Sequence, residues 1–270
     1  MESVVVADLS KKSSDHIKIW IFAVVVFCLL SCTLVVGGCV WLSFASLGVI
    51  AERPAATTVP MAEWPIIFAD DFSKVSDGWF VGTYSKKGYT DTRSISGGKY
   101  NWELKSAQGN AFWQAANAGV LGDFVLSVDV QHTVGSAYDD YGLMFRSTGE
   151  NYYLFSIEDR GVYTLDLHSA GRWNEIIPPI RSSIIRSGDV NHLKVQAQGT
   201  HFQLFINDEY INDFDDGTLL NGDVGLLLSP NVAPGVQDPQ EPHGIAYFRL
   251  PTISRAVFDN FEVRAPQSPP

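Results

Sequence analysis

The sequence predicts an all-β fold, a two-layer antiparallel β-sandwich, preceded by one transmembrane helix. Three observations carry that expectation. Residues 19–51, a run of 33, contain no charged side chain. Beyond the run, apolar and polar residues alternate with a period of two, and helical periodicity is scarce. All three cysteines, Cys28, Cys32 and Cys39, fall inside the apolar run, so the rest of the chain has no thiol to pair.

The apolar run is longer than the roughly 20 residues that cross a hydrocarbon core, and its densest part, about 20–45, includes Trp20, Phe22, Val24, Val25, Val26, Leu29, Leu30, Trp41 and Phe44. A core helix of that length with no polar face would be unusual. Lys11, Lys12 and Lys18 precede the run and Arg53 alone follows closely, so residues 1–18 are expected on the cytoplasmic side and the large domain outside the cell membrane. Two cleaved alternatives compete. Val49 and Ala51 have the spacing of a signal-peptidase site, but signal-peptide apolar regions usually run only about 7–15 residues. Val36, Gly37, Gly38 and Cys39 resemble a loose lipoprotein box, yet the apolar run continues past Cys39. A retained single-pass anchor fits best.

Of 19 basic and 30 acidic residues, three of each lie in the head, so the net charge of −11 belongs to the outer part. Nucleic acid and anionic headgroups are poor partners for such a surface. A domain of about 200 residues buries enough surface to fold without disulfides. With no Asn-x-Ser/Thr sequon either, a bacterial surface protein fits better than an animal ectodomain. Residues 52–65 (ERPAATTVPMAEWP) read as a proline-rich spacer and 265–270 (APQSPP) as a disordered tail. The domain between them spans 66–264.

Within it, Leu126, Val128 and Val130 alternate with Ser127, Asp129 and Gln131, and Leu193, Val195 and Ala197 alternate with Lys194, Gln196 and Gln198. Each pattern predicts a strand with one buried and one wet face. Tyr141–Ser147 and Tyr152–Glu158 flank Thr148-Gly149-Glu150-Asn151, a strand over Val162–Leu167 follows, and Asn207-Asp208 joins Phe202–Ile206 to Glu209–Phe214 as a tight hairpin. Further strands are expected over Phe68–Phe72, Gly78–Tyr84, Tyr100–Leu104, Ala111–Ala115, Val224–Leu228, Ala246–Leu250 and Val257–Val263. About a dozen strands split naturally into two packed sheets, as in a jelly roll.

The segments Phe68-Ala69-Asp70-Asp71-Phe72-Ser73 with Gly78-Trp79, Tyr141-Gly142-Leu143-Met144-Phe145-Arg146, Val224-Gly225-Leu226 and Phe258-Asp259-Asn260-Phe261-Glu262-Val263 resemble the concanavalin A-like lectin/glucanase superfamily. Within it they are most similar to bacterial domains grouped with 3-keto-disaccharide hydrolases and laminin G-like modules. The resemblance covers roughly residues 66–264 and implies two stacked antiparallel sheets, often with a concave glycan-binding face. It specifies a fold better than an activity.

Aromatic rings stack on the apolar faces of sugars while planar polar groups take hydroxyls, so Trp113, Tyr152 and Trp173 are candidate ligand residues. Tyr141, Leu143 and Phe145 share one face of their strand, which places Arg146 on the other. An Arg146–Glu158 pair beside Tyr152 could then bind a sugar hydroxyl or a uronate; a cross-strand ion pair without a ligand explains the same residues. The Glu-x-Asp-x-Glu runs of the superfamily's glucanases are missing, which weakens a glucanase reading, and Asp139, Asp140, Glu158, Asp159 and Asp166 remain as scattered carboxyls, several at expected turns. Asp70, Asp71 and Asp259 lie near the two ends of the domain and could hold a structural calcium ion. The Asp213–Gly217 run reads as a solvated turn, and His132, His168, His192, His201 and His243 show no metal spacing.

The sequence therefore points to a membrane-anchored, non-catalytic carbohydrate-binding β-sandwich. A glycoside-processing hydrolase is the first alternative and a protein-interaction module the second.

Overall fold

The computed structural model describes residues 60–106, 112–231 and 252–266. All the described residues fall within one compact unit, 59–270. The expected transmembrane segment over 19–51 and the strand over Ala246–Leu250 lie outside the described residues. Among those described, no helix is long and apolar enough to cross a membrane.

Among the described residues, fifteen strands follow one short 3-10 turn, Met61–Glu63. They are β1 Ile66–Asp70, β2 Gly82–Lys86, β3 Tyr89–Ser96, β4 Lys99–Ser106, β5 Phe112–Ala115, β6 Phe124–Val134, β7 Asp140–Ser147 and β8 Tyr152–Glu158. They continue as β9 Val162–Ser169, β10 Arg172–Arg181, β11 Asn191–Gln198, β12 His201–Ile206, β13 Glu209–Asp215, β14 Asp223–Ser229 and β15 Thr252–Arg264. Nine form one antiparallel sheet in the order β13-β12-β11-β6-β15-β4-β3-β2, with β1 also paired to β15. Six form the second, in the order β10-β9-β8-β7-β14-β5.

The alternation in the sequence sets which faces meet. Leu126, Val128 and Val130 of β6 and Leu193, Val195 and Ala197 of β11 pack against Tyr141, Leu143 and Phe145 of β7 and Tyr153, Phe155 and Ile157 of β8 in one continuous core. Trp64 is also buried, so the packed domain takes in the end of the stretch read as spacer. The first and last strands lie side by side, with Asp70 opposite Phe261 and Ala69 opposite Glu262.

Several sequence expectations need correction. Strand β3 was hidden because two of its inward residues are charged: Arg93 is buried, bonded to the buried Asp91 and stacked 3.9 Å over the Trp102 ring, so the alternation shows no apolar stripe. Strand β10 carries Pro178 and Pro179 and survives because it is an edge strand with two register shifts. The strand expected from Gly78 starts only at Gly82, since Ser76 and Trp79 both donate to Asp70 and wrap the segment across the core. The Asp213–Gly217 run is strand as far as Asp215, because Phe214 stacks on Phe202 with centroids 4.5 Å apart.

Candidate functional site

The outward face of the six-stranded sheet is built from the alternate residues of its strands. Register places Glu158 and Asp140 at one end, Ser156 beside Thr164 in the middle, and Tyr152 beside His168 at the other. On the edge strand Trp173 lies opposite His168 and Glu175 opposite Asp166. The face has an aromatic half and a carboxyl half.

In the aromatic half, the ring of Trp113 lies 4.5 Å from that of Tyr152, Tyr152 stacks on His168 at 5.2 Å, and Trp173 sits 4.8 Å from His168. Met144, Leu154 and Leu227 form the floor. Tyr152 is buried, whereas Trp173 is 53% exposed and offers a ring to solvent. The structure thus brings the three aromatic candidates, Trp113, Tyr152 and Trp173, into one cluster. His168 completes it, and sequence reasoning passed His168 over because it looked for metal spacing.

In the carboxyl half, Asp140 accepts hydrogen bonds from Ser156 Oγ at 3.2 Å and Asn231 Nδ2 at 2.6 Å. Burial, followed by the nearby charges of Glu158 and Asp166, pushes its pKa up to about 7. Burial and then Glu175 push Asp166 up to about 6. Glu158 is also raised, mainly by burial, against the pull of Arg160, whose guanidinium holds it at 2.5 Å. Carboxyls that titrate near neutrality, as Asp140 and Asp166 do, can exchange a proton with a bound ligand.

Arg146 does not belong to this face. Its backbone has φ +49° at a register shift between β7 and β14, and the bulge turns its side chain back into the core. There the guanidinium donates to the carbonyls of Leu219, Gly122 and Gly199 at 2.8, 2.9 and 2.6 Å. The expected Arg146–Glu158 pair is therefore absent, and the partner of Glu158 is Arg160.

The three candidate calcium ligands are engaged by protein donors. Asp70 accepts from Phe72 N, Ser76 Oγ and Trp79 Nε1. Asp71 accepts from Ser73 N, and Asp259 is held by Lys99 at 2.5 Å. Among the described residues no three His, Cys, Asp or Glu side chains converge where a metal ion could sit.

A second cluster, unforeseen in the sequence, underlies the carboxyl half from the core side. The buried His132 ring faces Asp159 Oδ2 through Nδ1 at 2.7 Å and Asp139 Oδ2 through Nε2 at 3.2 Å. It stacks on Tyr141, whose hydroxyl donates to Asp159 Oδ1 at 2.8 Å. Burial lowers the His132 pKa, but the two carboxylates outweigh it and raise it to about 9. A value that high favours the imidazolium near neutrality, the form that can donate from both nitrogens.

Two packed antiparallel sheets, with aromatic rings and carboxyls sharing the outward face of the six-stranded one, make this an antiparallel β-sandwich protein. The chain belongs to the 3-keto-α-glucoside-1,2-lyase-like domain family, whose pattern matches residues 62–249. Among solved structures it is similar to the carbohydrate-binding module CBM66 from Bacillus subtilis, at 19% identity over 66% of this chain and 96% of that one, with a TM-score of 0.50. It is also similar to the catalytic domain of an endo-1,3-β-glucanase (laminarinase) from Thermotoga petrophila RKU-1, at 8% identity over 76% and 99% of the two chains, TM-score 0.47. A Bacillus licheniformis β-glucanase matches at 11% identity over 73% and 97%, TM-score 0.48. At 19% identity the likeness to the CBM66 module is one of fold. No curated protein matches the chain in sequence.

Proposed function

We propose that the protein binds carbohydrate on the outward face of its six-stranded sheet, as a non-catalytic module held outside a cell membrane by residues 19–51. The observation that carries the binding reading is the shared face of Trp113, Tyr152, His168 and Trp173 with Asp140, Glu158 and Asp166. Rings stack on the apolar side of a pyranose, and carboxyls accept from its hydroxyls. The CBM66 module, a carbohydrate-binding protein by its own description, shares the fold. With Arg146 buried, the face has no cation from that residue to select a uronate, so neutral sugars fit better.

Family membership and the near-neutral Asp140 favour a second reading, the processing of a 3-keto-glycoside. Elimination across C1 and C2 of such a sugar removes the C2 proton, which the neighbouring ketone acidifies, breaks the C1–O bond and returns a proton to the departing oxygen. A carboxyl with a pKa of about 7 can take the first proton, and a protonated neighbour can supply the second.

One experiment separates the readings: a glycan array with the full chain in detergent micelles, run beside a turnover assay on neutral glycosides and their 3-keto derivatives. Binding without turnover supports the module, turnover lost in Asp140→Asn supports the enzyme, and silence in both sinks the carbohydrate reading.

A further inference from the structure

We propose that His132 is a positioning residue, a buried cationic hub that sets both Asp140 and Glu158 on the candidate sugar-binding face. The inference rests on the carbohydrate reading of that face and adds the device that holds its two outward carboxyls in place.

The argument is one of alternation. Asp139, Asp140 and Tyr141 are consecutive, and the outer two point into the core: Asp139 bonds to His132, and Tyr141 stacks on the same ring with centroids 5.3 Å apart. With both neighbours fixed, Asp140 has one direction left, outward onto the sheet face. The same logic repeats on β8. Glu158 points outward, and the next residue, Asp159, takes the other nitrogen of His132, the Tyr141 hydroxyl and the amide of Gly188.

A single ring on β6 of the opposite sheet therefore ties down the two segments that carry the outward carboxyls. Asn231 closes the link. Its backbone N–H donates to Asp139 Oδ1 at 2.8 Å while its side chain donates to Asp140 Oδ2 at 2.6 Å, so one residue spans the buried cluster and the exposed face. The remaining neighbours of His132 fit the same picture: Ser254 Oγ lies 3.4 Å from Nε2, and the Ser136 amide donates to Asp139 Oδ2. Packing explains a buried aromatic ring, but it does not require an ion pair at each nitrogen, and buried charges survive only when paired.

The test is a carboxyl 13C NMR titration of the full chain in detergent micelles, labelled at Asp and Glu, comparing wild type with His132→Gln and Asn231→Ala. In folded His132→Gln the two segments loosen, water reaches both carboxyls, the Asp140 midpoint falls from about 7 toward its ordinary value, and the raised Glu158 midpoint falls with it. Mere loss of a nearby positive charge would raise them instead, so the direction separates positioning from long-range electrostatics. Unchanged or raised midpoints overturn the proposal. If His132→Gln does not fold, Asn231→Ala decides: loss of its donated bond raises the Asp140 midpoint and leaves His132 titrating as before, and an unmoved Asp140 overturns the link. Neither readout uses a glycan, so midpoints that move in a protein that binds no sugar would keep the hub and reject only the carbohydrate reading.

Discussion

The guanidinium of Arg146 lies 4.4 Å over the ring of Phe202, joining the middle of the six-stranded sheet to a strand of the other. It bonds to carbonyls from three separate segments and leaves Nε without a partner among the described residues. A left-handed backbone at a residue with a long side chain costs on the order of 1–2 kcal/mol, which the three bonds and the ring contact offset. Arg146→Met keeps much of the volume but strands the buried Leu219 carbonyl and removes the partners of the part-buried Gly122 and Gly199 carbonyls, at roughly 1 kcal/mol each. We expect a loss of about 3 kcal/mol in urea unfolding, with glycan binding per folded molecule unchanged. A variant that binds sugar normally and unfolds at the wild-type midpoint would contradict this role.

Most of the architecture is legible because alternation survives wherever one sheet face is apolar: Tyr152–Glu158 has its expected limits, β7 and β11 differ from expectation by at most two residues, and β6 runs two residues longer at its start and three at its end. The fold failed to show where polar residues were inward, as with Arg93 and Asp91 on β3, or where prolines marked an edge, as on β10. Arg146 was misplaced for a related reason. Strict period two assumes no bulge, and a single left-handed residue reverses the direction of everything it carries. The aromatic half of the candidate site could be guessed from residue types. The His132 cluster could not, since its members are 7 and 27 residues apart and each turn aspartate is ordinary alone.

Gly135 gives a sharp steric test of that cluster. A Cβ there would stand 2.0 Å from Asp139 Oδ2 and 2.7 Å from His132 Nε2, and its backbone sits at φ +145°. Gly149, at φ +90°, has nothing within 4 Å of the same added atom. Gly149→Ala should cost about 1 kcal/mol from backbone strain alone. Gly135→Ala must displace a buried ion pair and should cost several times more in chemical denaturation. Equal losses for the two variants would mean that the cluster is softer than its geometry states.

Stability should fall as the solution is made alkaline. His132 titrates near 6.5 when unfolded and at about 9 when folded, so its contribution is fully present below pH 6.5 and is lost as pH rises through 9. The full effect is about 3 kcal/mol. Asp140 acts in the same direction at lower pH. Its folded value of about 7 exceeds the ordinary 3.8, so the folded state resists its ionisation and stability declines between those values. Asp159 opposes only in acid, because its lowered pKa contributes stability that disappears as pH falls below the ordinary carboxylate range. Unfolding free energies measured from pH 4 to 10 should peak on the acid side of neutrality. His132→Gln should remove the decline between 6.5 and 9 and shrink the earlier one as its Asp140 midpoint falls, and an unchanged profile in that variant would rule out the imidazolium assignment.

Trp173 separates binding from folding most cleanly, because its ring is 53% exposed and lies on an edge strand, in contact with His168 and Tyr152. Trp173→Ala removes a stacking surface at little cost to the core, so its unfolding free energy should stay within about 0.5 kcal/mol of wild type. Glycan affinity should drop roughly tenfold, the effect of losing one good aromatic contact of about 1.4 kcal/mol. Trp79→Ala supplies the converse. That ring packs between Phe72, Tyr100 and Phe261 in the core, so its removal should cost about 3–5 kcal/mol while leaving the affinity of the surviving folded fraction intact. Isothermal titration against a sugar found on the array, paired with urea unfolding, reads both quantities. Full affinity in Trp173→Ala would move the ligand off the aromatic half and toward the Asp140 end of the sheet.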